Sequence, residues 1–100
     1  MTINIQFVRV DKNNFASALM EKKLEKLAEK FEWIIKAEVI FKEENDRKGK
    51  GSICEVTLSV PGPLIFAASK AENHEKALDQ TINELKTQLN KRKAGMKAHV

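Results

Sequence analysis

The stretch Ala71–Lys97, AENHEKALDQTINELKTQLNKRKAGMK, decides the fold. Leu78, Ile82, Leu85 and Leu89 recur at the spacing of one helical face. At about 100° per residue they occupy a sector of roughly 60°, one narrow apolar stripe. Asp79, Lys86, Asn90, Lys93 and Lys97 lie along one side of that stripe, an edge that turns basic toward its C-terminal end. Asn73 is placed to cap the helix, with Glu75 and Asp79 in the early turns that the helix dipole favours for acids. Lys91, Arg92 and Lys93 crowd the far end with more charge than capping requires. Such a helix needs an apolar layer to lie on and an anion to meet.

The remaining chain supplies the layer. Thr2–Val10 alternates Ile3, Ile5 and Phe7 with Asn4 and Gln6, a half-buried strand, although Val8 on the second face suggests some cover there. Asp11–Asn14 is a turn in which Asn13 or Asn14 caps a helix running from Phe15 to about Trp33. Ala16, Met20, Leu24, Leu27 and Phe31 form its inner face. Its flanks separate by sign, with Lys22, Lys23, Lys26 and Lys30 on one side and Glu21, Glu25, Glu29 and Glu32 on the other. Like-charge rows at i,i+4 cost a few tenths of a kcal/mol per pair, so helix stability does not explain the segregation. A solvated face with weak Lys22–Glu25 and Lys26–Glu29 pairs is the plain alternative.

Ile34–Glu43 reads as a second strand with Ile35, Ala37, Val39 and Phe41 inward, and Glu44–Gly51 as a polar, mobile connection. Ser52–Val60 alternates Cys54, Val56, Leu58 and Val60 with Glu55, Thr57 and Ser59. Pro61–Pro63 forces a turn, and Leu64–Ser69 is a short fourth strand antiparallel to the third. The order β-α-β-β-β-α predicts an α+β two-layer sandwich, a four-stranded sheet with both helices on one face. A right-handed crossover makes the first two strands parallel.

One hundred residues suggest a single domain, 1–100. Eighteen Lys and Arg against fourteen Asp and Glu give a net charge of +4, so where the cations lie matters more than their number. One cysteine, Cys54, at an inward strand position, reads as a buried structural thiol of a reducing compartment. The start MTINIQFVRV carries no secretion pattern and no apolar run approaches a membrane span, which points to the cytoplasm. His74 and His99 are isolated, which disfavours a metal site, and Gly49-x-Gly51 lacks the rest of a phosphate loop. No nucleophile or paired-carboxylate constellation is present, so neither enzyme nor cofactor is expected. The lysine edges fit phosphate instead, and an RNA duplex or folded RNA is read mainly through shape and backbone. If the edges adjoin, Lys22, Lys23, Lys26 and Lys30 join Lys86, Lys93 and Lys97 in one basic surface. The alternatives are a protein-interaction module working through the open sheet face or an edge strand, and a generic double-stranded-RNA binder.

With these residues in place, the chain resembles the bacterial ribosome hibernation-promoting factors, also called ribosome-associated inhibitors. The segments that carry the resemblance are MTINIQ, KKLEKLAEKF, CEVTLSV and ALDQTINELKTQLNKRK, with QLNK at Gln88–Lys91 the most specific. The family fold is β-α-β-β-β-α and is similar to double-stranded-RNA-binding domains. The resemblance implies binding to ribosomal RNA in the small-subunit channel for messenger and transfer RNA, which keeps idle ribosomes from translating. It matches Lys23 and Lys26 to basic positions of the family's first helix and Lys86–Lys97 to its basic C-terminal helix, with Lys91 and Lys93 matching best. Together with the lysine edges, the expected RNA-binding residues are Lys22, Lys23, Lys26, Lys30, Lys86, Lys91, Arg92, Lys93 and Lys97. The chain departs from the family at Asn73–Glu75, at Thr87 for an arginine, and at Gly95 for a lysine, where the helix is expected to end early. Ending at Val100, it looks like a short member, which would need a second factor to form ribosome dimers.

Overall fold

The computed structural model describes residues 1–97, and of Lys97 the backbone only. The order is β1 (Thr2–Val8), α1 (Asn14–Lys30), β2 (Lys36–Glu43), β3 (Ser52–Ser59), β4 (Ile65–Ala71) and α2 (His74–Lys97). The four strands form one sheet in the order β1-β2-β3-β4. β1 runs parallel to β2, in register Ile3 to Ala37, whereas β2–β3 and β3–β4 are antiparallel.

Both helices bury their stripes on one face of this sheet. Ala16, Met20, Leu24 and Leu27 of α1 and Leu78, Ile82, Leu85 and Leu89 of α2 join Val39, Phe41, Cys54, Val56, Leu58 and Ile65 in a single core. Thr81, the polar residue inside the α2 stripe, is satisfied by donating to the Ala77 carbonyl at 2.8 Å. Each helix starts as its cap residue dictates. The Asn13 side chain accepts from the Ala16 amide at 3.0 Å, and Asn73 from the Lys76 amide at 2.8 Å.

Several boundaries differ from the sequence reading. α1 ends at Lys30, and Phe31 becomes its C-cap, its amide bonded to the Leu27 carbonyl at 2.7 Å. Ile34, not Ile35, takes the core position after it: Ile35 is 61% exposed although its amide bonds to Ser59. Val8 is exposed, so β1 has no cover on its outer face, and Leu64 lies outside β4. The Glu44–Gly51 connection is closed by the Glu44 amide on the Gly51 carbonyl, and a side chain at Gly51 would collide with the Glu44 carbonyl. Gly95 does not end α2, which continues to Lys97.

A helix of twenty-four residues is about 36 Å long, whereas strands of seven or eight span about 25 Å. α2 therefore overhangs the sheet. Its last turns reach the β3–β4 turn on one side and the end of α1 on the other.

Candidate nucleic-acid interface

The edge of α1 that carries lysine faces the edge of α2 that carries Lys86 and Lys93. Lys23, Lys26, Lys30 and Lys86 line a cavity of about 300 Å³ between the helices, floored by Leu27 and Ile82. Further along, Lys30 and Lys93 both lie over the buried Phe31 ring, with ammonium groups 5.4 and 5.8 Å from its centroid. The adjacency expected from the lysine edges is thus present for Lys23, Lys26, Lys30, Lys86 and Lys93.

Other candidates fall elsewhere. Lys22 is turned about 100° from Lys23 on the helix, away from the groove. Gln88 and Arg92, a turn apart, lie on the opposite edge of α2. Gln88 donates to the Phe66 carbonyl at 2.7 Å and Arg92 to the Pro61 carbonyl at 3.0 Å. Arg92 thereby ties α2 to the turn that Gly62 makes at φ 90°. Lys91 lines, with Arg92, Pro61, Gly62 and Met96, a separate open cleft on that side. The side chain of Lys97 lies outside the described residues.

The groove differs from the outer sheet face in how its charge is balanced. On the outer sheet face, Lys36 pairs with Glu38 at 2.7 Å, Lys42 with Glu55 at 2.9 Å, and Lys70 with Glu44. Hydrogen bonds from Lys36 and Asn4 hold the Glu38 carboxyl below its ordinary value, and Glu44 raises the Lys70 ammonium. In the groove, among the described residues, only Lys23 has a carboxylate in reach, Asp79 at 3.9 Å. Among the described residues Lys26, Lys30, Lys86 and Lys93 form no ion pair, and the Lys22–Glu25 and Lys26–Glu29 pairs of the plain alternative are absent. Four unneutralised ammonium groups along one interhelical seam can take up phosphate without first giving up a partner.

Two further expectations concern single residues. Cys54 is fully buried, and desolvation pushes its thiol up to about 12, consistent with an unreactive structural role. His74 opens α2 with Nε2 3.1 Å from the Lys42 carbonyl and its ring edge-on to Phe41. No cluster of metal-ligating side chains occurs among the described residues. Among them, too, no helix is long and apolar enough to cross a membrane.

The geometry defines an α+β sandwich with a cationic seam between parallel-running helices. The chain belongs to the family described as sigma 54 modulation protein / S30EA ribosomal protein, which matches residues 3–97. That is a family of non-enzymatic binding proteins, and the resemblance to hibernation-promoting factors holds. Among solved structures the chain is similar to a ribosomal subunit interface protein from Coxiella burnetii, at 30% identity and a TM-score of 0.82, over 94% of this chain and 99% of that one. It has the same fold as the Thermus thermophilus Protein Y N-terminal domain, at 22% identity and a TM-score of 0.75, over 91% and 98%. No curated protein matches it.

Proposed function

We propose that the protein binds the small ribosomal subunit by laying the α1–α2 groove on ribosomal RNA, and that it holds ribosomes idle by occupying the messenger and transfer RNA channel. The observation that carries this reading is the contrast in charge balance. Among the described residues Lys26, Lys30, Lys86 and Lys93 are without carboxylate partners, while the lysines of the sheet face are paired. Lysines on helix edges neutralise phosphates without reading bases, which suits a partner recognised by backbone shape. The Coxiella burnetii relative is named for the ribosomal subunit interface, and membership in the same family supports that destination. The sheet face is the weaker binding surface because its cations already have partners.

Sedimentation with isolated small subunits, large subunits and vacant ribosomes at low and high salt tests the reading. Salt-sensitive association with the small subunit is expected, together with inhibition of translation by added protein. Replacing Lys26, Lys86 and Lys93 with Gln should abolish association while the circular dichroism spectrum is retained. A folded triple variant that still co-sediments would sink the proposal. Preference for free RNA duplex over ribosomes would reassign the groove to a general double-stranded-RNA binder.

A further inference from the structure

Lys23, Lys26 and Lys30 of α1 are accounted for by the groove; the glutamate row on the helix's other flank is not. Glu25, Glu29 and Glu32 line a second cleft, of about 350 Å³, with Met1, Ile3 and Ala28. This cleft opens at the start of β1, at Ile3, and β1 is an edge strand with one side unpaired. The two sheet edges are treated differently. β4 is covered: Ile65, Ala67 and Ala71 are buried in the core, Gln88 caps the Phe66 carbonyl, and Lys70 stands on the strand. β1 has none of these devices. Its sequence TINIQFV contains no charge and no proline, and its inward residues Ile3, Ile5 and Phe7 are only partly buried. Because the Thr2 amide donates to the Ile35 carbonyl, alternation turns the amides of Ile3, Ile5 and Phe7 toward the open side.

We propose that this edge docks an extended, lysine- or arginine-bearing protein segment as a fifth strand. Main-chain groups of β1 would supply the ladder, and alternate cationic side chains of the segment would reach Glu25, Glu29 and Glu32. The charge of the cleft selects the occupant. A second copy pairing through β1 would bring two glutamate rows together, and a nucleic acid strand would meet the same repulsion. A basic strand meets neither obstacle. The carboxylates are free for it, since none of the three forms an ion pair among the described residues. The surface lies on the flank of α1 opposite the groove, so both can be occupied at once.

The test is titration of the full chain with a fluorescent heptapeptide alternating lysine and valine, and with its glutamate–valine counterpart. Amide exchange of the chain is followed alongside. The basic peptide should bind and slow exchange at Ile3, Ile5 and Phe7 at least tenfold, and the acidic peptide should not. The triple variant E25Q/E29Q/E32Q should lose at least tenfold in peptide affinity and keep its RNA affinity. The groove variant K26Q/K86Q should do the reverse, so the two sites fail separately. The inference is overturned by protection that appears on β4, by a triple variant that binds peptide as the parent does, by absence of peptide binding, or by concentration-dependent pairing of the chain through β1.

Discussion

Replacement of Lys86 by Gln should make the free protein more stable and the bound protein less so. Gln has nearly the helix propensity of Lys, so α2 itself is little changed. Lys86 shares its cavity with Lys23, Lys26 and Lys30 and forms no ion pair among the described residues. A cavity of about 300 Å³ is about 8 Å across if round, which sets the scale of ammonium separation. At that distance each like-charge pair costs about 0.5 kcal/mol in water. With three neighbours, and screening lengths of about 30 Å at 10 mM salt and 8 Å at physiological salt, the relief is about 1 kcal/mol and about 0.5 kcal/mol respectively. For a domain of this size 1 kcal/mol corresponds to a rise in Tm of about 4–8 °C.

The assay is urea denaturation of parent and variant at both salts, followed by small-subunit binding across a salt series. The variant should be stabilised more at low salt. The slope of log affinity against log salt should become shallower by about 0.7–0.9, the value for one lost phosphate contact. Loss of stability at low salt, with an unchanged binding slope, would refute the reasoning. It would mean that Lys86 is held by packing or by an acidic neighbour and is not a stored repulsion that phosphate relieves.

Three other expectations follow from individual contacts. Arg92→Ala should cost about 1 kcal/mol in urea denaturation by releasing the Pro61 carbonyl, yet leave the salt slope of RNA binding unchanged. Asn13→Ala and Asn73→Ala should each cost about 1 kcal/mol through an unsatisfied helix N-terminus, with effects that add because the caps are on different helices. The Cys54 thiol is raised in the folded state, so the native protein holds that proton longer than the unfolded chain. Its contribution is fully present below the ordinary thiol value and is lost as pH rises toward about 12. The stability difference between parent and Cys54→Ala should therefore shrink over that alkaline range. A constant difference would count against burial as the cause.

Periodicity made the architecture legible because each element buries one face only. The α2 stripe, the α1 stripe and the alternation of β3 all reappear as core residues, and the parallel β1–β2 pairing follows from the crossover. What escaped the sequence was whatever depended on where elements end against one another. Ile35 has the alternation of a core residue, but Phe31 caps α1 and passes the buried position to Ile34. Arg92 looks like its neighbours Lys91 and Lys93 in a basic run. Only the overhang of α2 past the Pro61–Gly62 turn makes it a tether. Gly95 reads as a stop, yet the turns before it are anchored by Gln88, Arg92 and Lys93, and the helix passes through. The groove was half legible: the lysine edges could be read from the helical spacing, but their meeting required both helices to lie on the same face.

Lys23 is the intermediate case that tests whether charge balance marks the binding surface. Its partner Asp79 is 3.9 Å away with both side chains well exposed, an arrangement worth at most a fraction of a kcal/mol. The Asp79 carboxylate also stands beside the cavity where phosphate is proposed to bind. Asp79→Asn keeps the shape of the side chain, frees Lys23 and removes one negative charge from the rim. A repulsion of about 0.5 kcal/mol, taken over about 8 Å in water, converts to a two- to threefold gain in RNA affinity at low salt, fading as salt rises. Filter binding to small-subunit RNA at several salts reads it directly. Were affinity unchanged at low salt, phosphate would not be entering between Lys23 and Lys86, and the interface would have to lie nearer Lys30 and Lys93 at the other end of the seam.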